Sequence, residues 1–469
     1  MANVAELCTK NLTEVAGLIK RKEVSPVELT QAMLDRIAAL DGKLYSYLTV
    51  TSDLALQQAR AAEQEIAQGK YRGPLHGVPI AVKDLCFTKG IRTTCSSKIL
   101  SDWKPDHDAT VVERLSNAGA VLLGKLGMTE FALAGYHPSI HPPVNPWAAD
   151  RWPGASSSGS GVATAAGLCF GSLGSDTGGS IRFPSASCSI VGVKPTYGRV
   201  SRYGVFPLGE SLDHIGPMTR SVADAATMLR VIAGFDPRDP TTRRVTVRDY
   251  VDLLTFNGAK GVRIGVDESY CTAQVDPQVS KAVLATTVTL KALGAEIREV
   301  KFSVTDADLD DWFTLCAAET SAAHEKWFPS RAADYGPTFR SFLEEGAKVR
   351  AIDYVNATAR RQSVRRVLDD LFQNVDVLLC PSTSSLPMLL KDFRPDAPLS
   401  RGGASGLLRL TAPFDLTGSP TISLPCGFST EGLPISLQLV GRHDEEGLLM
   451  QVGQAYEQAT EWHTRRPQV

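Results

Sequence analysis

Two clusters rich in glycine and serine stand out in the chain: PGASSSGSG at 153–161 and GSDTGGSIRFP at 174–184. Glycine lets a backbone approach a substrate closely or take up positive φ, and serine supplies hydroxyls. That combination suits a nucleophile flanked by backbone N–H donors able to hold a developing oxyanion. A pair of flexible loops and a phosphate-cradling loop are the competing readings. A Walker-type loop needs Gly-Lys-Ser/Thr at a fixed offset, which is missing. The Gly-x-Gly fragments also lack the strand, helix and later acidic residue of a dinucleotide site.

A serine hydroxyl is a weak nucleophile until a base takes its proton. None of the eight histidines falls in either cluster. His137 and His141 sit among Pro138, Pro142 and Pro143, which denies them a shared helical face for a metal, so both read as structural. No metal and no cofactor are expected. The candidate base is Lys83, in GVPIAVKDL at 77–85, where Val78, Ile80 and Val82 alternate with Pro79, Ala81 and Lys83 as on a strand. With an ordinary pKa of about 10.4, only about one lysine in a thousand is neutral at pH 7.4, so a lysine base requires burial that lowers its pKa. The stretch from Trp152 to Ser175 carries no charged residue. It is too poor in Leu, Ile and Phe for a membrane span, and it supplies the medium such a lysine needs. Asp84 points to the opposite face of the strand. Cys86 is the one thiol that suggests a cysteine hydrolase, but it has no glycine-rich oxyanion turn of its own.

Taken together, Lys83 in GVPIAVKD, the serines at 156–158 and GSDTGGSIRFP resemble the amidase signature family. The similarity extends through GKLGMTEFA at 124–132 and NPW at 145–147 to ISLQLVG near the C-terminus. The resemblance implies Ser180 as nucleophile, Ser156 as a bridging serine held in a cis peptide, and Lys83 as base. Ser157 ranks second as the bridge, because Ala155 and Ser158 replace glycines of the usual GGSSGG run. It further implies an oxyanion hole from the N–H groups of Thr177, Gly178, Gly179 and Ser180. Arg182, Asp176, Ser157 and Met128 are candidates for substrate binding or for bracing the loop, and bracing through Asp176 is favoured for Arg182. The implied activity is cleavage of the carbon–nitrogen bond of small amides through a Ser180 acyl-enzyme, releasing an acid plus ammonia or an amine. Carbamates, aryl amides, ureas and esters suit the same acyl transfer. The alternative is a glutaminase A-type subunit of a tRNA-dependent amidotransferase. Against it, Leu408 stands where that subunit has an acidic residue before LTAPFDLTGSP, and its substrate-binding arginine has no counterpart before Gly346. A non-catalytic relative is disfavoured, since all three relay positions are filled.

The elements that must position these residues follow from the hydrophobic pattern. The implied fold is α/β: an amidase-signature fold with a large, mixed, mostly parallel sheet covered by helices on both faces, an α/β/α sandwich formed by a single domain over 1–469. Within it, 1–65 reads as helices, with Ser25, Pro26 and Glu28 as a start signal, and 73–235 as the catalytic core. Helix–strand units are expected at 108–128 and 261–302. The region 305–405 reads as a variable helical pocket region in which Trp312, Phe313 and Trp327 are candidates for lining an apolar pocket, with packing as core the favoured alternative, and the arginines of 350–366 form a solvated face. Strands at 375–382 and within 406–465 complete the core. The formal charge of −2 over 469 residues gives no general attraction to nucleic acid or anionic lipid. The expected partner is a small amide-type molecule, with no nucleic acid and no membrane, and a homodimer is left open. Nine cysteines without paired spacing read as reduced thiols. The N-terminus lacks a basic start and apolar run, so a cytoplasmic enzyme is expected.

Overall fold

The computed structural model describes residues 4–255, 257–392 and 406–469. Its strands are β1 (Tyr47–Val50), β2 (Pro79–Lys83), β3 (Val121–Leu126), β4 (Gly171–Asp176), β5 (Val191–Lys194), β6 (His214–Thr219), β7 (Arg263–Val266), β8 (Glu296–Glu299), β9 (Val377–Pro381), β10 (Thr421–Phe428) and β11 (Pro434–Gly441). All eleven join one sheet in the order β1-β3-β2-β4-β6-β5-β10-β11-β9-β7-β8. β2 to β6 and β9 are buried at every residue, as strands covered on both faces must be, whereas the terminal strands β1 and β8 are half exposed.

The sheet is mixed, as expected, but it is not mostly parallel. Of the ten pairings among the described residues, six are antiparallel. The helix–strand units read from the sequence supply parallel pairs, β2 with β3 and β7 with β8. β10 and β11 instead form an antiparallel hairpin closed by Ser429 N–H donating to Leu433 O at 2.8 Å. The central strands β4, β6 and β5 likewise double back on one another.

Near the N-terminus, Ser25 caps the helix Pro26–Leu44, its Oγ accepting from the N–H groups of Val27 and Glu28 at 3.0 and 3.2 Å. The helical reading of 1–65 missed β1, a four-residue edge strand set between that helix and Ser52–Ala67. Three helices, Asp306–Ala323, Pro337–Gly346 and Ala351–Asn374, lie within the 305–405 region expected to be helical, of which residues 393–405 fall outside those described. The arginines of the last are not all solvated: Arg361 is half-buried, donates to Ser211 O at 2.8 Å and also bonds Leu416 O. No helix among the described residues is long and apolar enough to cross a membrane.

Two features bear directly on the site. The helix Ser158–Ala165 joins the two Gly/Ser clusters and is buried at all eight residues, which accounts for its lack of charge and its small side chains. Asp84 is turned away from Lys83 as predicted. It accepts from Thr94 N and Oγ1 at 2.8 and 2.6 Å and pairs with Lys125 at 3.4 Å, both side chains being buried. Replacing Lys125 by Met leaves Asp84 an uncompensated buried charge. We expect Lys125→Met to lose about 3–5 kcal/mol in urea unfolding and the double variant Asp84→Asn/Lys125→Met to recover part of that loss.

Candidate active site

Lys83 ends β2 and has no solvent exposure. Its Nζ lies in hydrogen bonds to three hydroxyls: Ser156 Oγ at 2.6 Å, Ser157 Oγ at 2.9 Å and Ser175 Oγ at 2.8 Å. Burial pulls its pKa from the ordinary lysine value to about 7, against the opposing pull of Asp176 and Asp213. A neutral amine has two protons and one lone pair, which matches three partners if one hydroxyl donates to it. Ser157 is not that donor, because its own proton goes to Ser175 O at 3.1 Å. Ser156 follows a cis peptide bond from Ala155, and its carbonyl accepts from Thr129 N at 3.2 Å. Cys86 is buried beside this group with its thiol pushed up to about 12 by burial, so it offers no thiolate.

Ser180 sits in the turn between β4 and the helix Arg182–Cys188, and its carbonyl accepts from Ser157 N at 3.2 Å, tying the two clusters together. The turn is organised by Asp176, which accepts from the N–H groups of Gly179, Ile181 and Arg182 at 2.6, 3.0 and 3.3 Å. Arg182 grips the same carboxylate through Nε at 3.0 Å and Nη2 at 2.8 Å. It also donates to Thr411 O at 2.9 Å and Asp415 Oδ2 at 2.6 Å. Burial alone would raise the Asp176 carboxyl, but the Arg182 guanidinium holds it well below the usual carboxylate range. Gly179 has φ +133°, and a Cβ there would lie 2.5 Å from the Phe183 ring, so only glycine fits. The N–H groups of Thr177, Gly178 and Ser180 have no protein acceptor among the described residues. Gly179, counted among the oxyanion donors from the sequence, already donates to Asp176, so the open set is three rather than four.

The family model described as Amidase matches residues 28–450. The chain belongs to the amidase signature family. It is 45% identical over 461 residues to the Mycobacterium tuberculosis protein named "Putative amidase AmiD", covering 98% of this chain and 96% of that protein. It is 42% identical over 481 residues to the A-type subunit of the glutamyl-tRNA(Gln) amidotransferase of Moorella thermoacetica, covering 97% and 98%. Among solved structures, the peptide amidase of Stenotrophomonas maltophilia superposes with a TM-score of 0.85 at 31% identity over 98% of both chains. The protein is therefore a hydrolytic amidase enzyme.

Within this amidase the other expected residues are placed as follows. Arg182 is buried with its N–H groups spent on Asp176, Thr411 and Asp415, which makes it a brace of the loop and leaves no fork for a substrate carboxylate. Met128 is buried, its N–H donating to Ser96 Oγ at 3.1 Å, on the segment whose next residue holds the Ser156 carbonyl. Trp312 and Phe313 are buried, and Trp327 is partly so. His141 stacks on Tyr45 at 3.6 Å, and His137 bonds Ser139.

Sequence reasoning missed Ser175, Thr411, Asp415 and Asp213. Ser175 was signalled by its place one residue before Asp176 in GSLGSD. Asp213, which accepts from Thr177 Oγ1 at 2.6 Å and from Leu208 and Gly209 N–H, carried no local signal. Removing the Arg182 side chain strands two buried carboxyl groups. Arg182→Ala is expected to cost about 3–5 kcal/mol of stability by chemical denaturation, and Arg182→Lys to fall between the two, because an ammonium cannot reproduce the fork.

Proposed function

We propose that this enzyme hydrolyses small uncharged amides through a Ser180 acyl-enzyme, with Ser156 as proton relay and Lys83 as base. The observation that carries the reading is the wholly buried Lys83 amine, with a pKa of about 7, bonded at 2.6 Å to Ser156 Oγ. Ser180 Oγ attacks the carbonyl carbon while its proton passes through Ser156 to Lys83. The N–H groups of Thr177, Gly178 and Ser180 hold the oxyanion. Collapse of the tetrahedral intermediate breaks the carbon–nitrogen bond, and the proton returns along the same path to the leaving nitrogen. Water, deprotonated by the same relay, then attacks the acyl carbon and releases the acid. The same acyl transfer serves carbamate, aryl amide, urea and ester bonds.

An uncharged acyl group is supported by what stands next to the oxyanion loop. A Cβ on Gly178 would meet the Trp312 ring at 2.6 Å and Leu408 Cδ2 at 3.2 Å, so the loop is flanked by apolar side chains. Leu408 is buried at the position read as acidic in the glutaminase subunit. This weighs against binding the charged amino end of glutamine. The 42% identity to a glutamyl-tRNA(Gln) amidotransferase component keeps that activity as the contrasting outcome of the test.

The test is incubation of the purified chain alone with aliphatic amides, aryl amides, carbamates, esters and glutamine, reading amine, alcohol or ammonia release. We expect turnover of uncharged amides, abolished by Ser180→Ala. Glutamine hydrolysis that appears only with added partner proteins would replace this reading with the amidotransferase one. Because Ser157 has its proton committed to Ser175 O, Ser156→Ala should lower kcat/KM by about a hundredfold or more and Ser157→Ala by less. The base must be neutral, so kcat/KM should rise with pH through about 7 and then level, and fall tenfold per pH unit well below it.

A further inference from the structure

The peptide planes from Asp176 to Ser180 each have their carbonyl oxygen in a hydrogen bond. Asp176 O accepts from His214 Nδ1 at 3.2 Å and Thr177 O from Trp312 Nε1 at 2.8 Å. Gly178 O accepts from Thr411 Oγ1 at 2.6 Å and Gly179 O from Phe183 N at 2.7 Å. These peptides are trans, so each N–H points opposite to the carbonyl of its own plane. Holding the Thr177 carbonyl therefore sets the direction of the Gly178 N–H, one of the three with no protein acceptor among the described residues. The Gly178 carbonyl governs instead the Gly179 N–H, which is already spent on Asp176.

Trp312 lies on the helix Asp306–Ala323, far from the serine clusters in sequence, and is buried against Gly178. An indole N–H only donates, and its ring is rigid, so it fixes one carbonyl in one direction without competing for the loop's own donors. A carbonyl that accepts a bond in a water-poor interior also polarises its peptide and makes the N–H across it a better donor.

We propose that Trp312 is a positioning residue for the reaction: by holding the Thr177 carbonyl, its indole N–H aims the Gly178 N–H at the oxyanion formed when Ser180 attacks. This rests on the reading of Ser180 as nucleophile. Trp312 then belongs to the transition state as well as to the wall beside it, so the helical region expected to choose the substrate also helps set the rate.

The experiment replaces Trp312 by Phe and, to keep the bicyclic shape while exchanging N–H for sulfur, by β-(3-benzothienyl)alanine. Two probes are used with the full chain: p-nitrophenyl butyrate, and an alkyl fluorophosphonate. With the latter a Ser180 Oγ–P bond forms, the P–F bond breaks, fluoride leaves and the serine proton goes through Ser156 to Lys83. Both variants should lose about tenfold in kcat with KM within twofold, less than the hundredfold or more that follows outright loss of an oxyanion donor. Phosphonylation should slow by a similar factor, and the urea midpoint of the benzothienyl variant should match wild type. A kcat and labelling rate within twofold of wild type, or a raised KM with unchanged kcat, would overturn the proposal. Ser180→Ala is measured alongside. Turnover and labelling that persist in it refute the nucleophile assignment, whereas a silent Ser180→Ala with an unimpaired benzothienyl variant refutes the Trp312 inference alone.

Discussion

A lysine ammonium loses its hydration when it is buried, and this single penalty organises the centre of the molecule. For Lys83 the pull from the ordinary value to about 7 corresponds to on the order of 5 kcal/mol between the two protonation states. Such a penalty survives only if no carboxylate approaches the amine. The structure meets that condition in three ways. Asp84, next in sequence, faces the other side of β2 and pairs with Lys125. Asp176 is committed to Arg182. The groups that do touch Nζ are hydroxyls, which can satisfy a neutral amine without charging it. The uncharged run from Trp152 to Ser175 is the sequence trace of the same constraint.

Three fully buried lysines show that burial alone does not decide the outcome. Lys83 has hydroxyl partners. Lys125 donates to Cys86 O at 2.7 Å and Thr93 Oγ1 at 2.6 Å and has Asp84 beside it. Lys194, at the end of β5, donates to Ser419 O at 2.5 Å, and burial pulls it to about 8 against the attraction of Asp415. One residue type in one sheet thus meets three electrostatic settings, and only the first adjoins the serine clusters.

The turn that carries Ser180 is held from both ends of the chain's later half. Arg182 links Asp176 to Asp415 and to the carbonyl of Thr411, and Thr411 in turn holds Gly178 O. Burial pushes the Asp415 carboxyl up while Arg182 works against it, and Arg182 grips Asp176 through two side-chain bonds and Asp415 through one. The segment from Thr411 to Asp415 and the helix bearing Trp312 therefore act on the same five-residue loop.

Much of this was legible in the residues themselves. Lys83 could be placed at a strand end because apolar alternation has a period of two, and the Ser25 cap, β2, β3 and β7 to β11 announced themselves by local pattern. The parallel bias read into the sheet failed because helix–strand units are conspicuous in a sequence, whereas the antiparallel neighbours β4 (GSLGSD), β5 (VGVK) and β6 (HIGPMT) are each interrupted by glycine and carry no long apolar run. The bracing role of Arg182 followed from its closeness to Asp176, two residues either side of a glycine-rich turn. Nothing local pointed to Asp415, 233 residues away from Arg182, or to the bond between Trp312 and a carbonyl 135 residues away. The sequence by itself determined which side chains have the chemistry and which stretch must be uncharged, since those are properties of residue type and near-neighbour spacing. Only the tertiary structure decided which hydroxyls face the amine, that the proton of Ser157 is committed elsewhere, and which N–H groups remain open. Those depend on where each hydrogen bond is spent, and the partners come from segments that meet only when the sheet assembles.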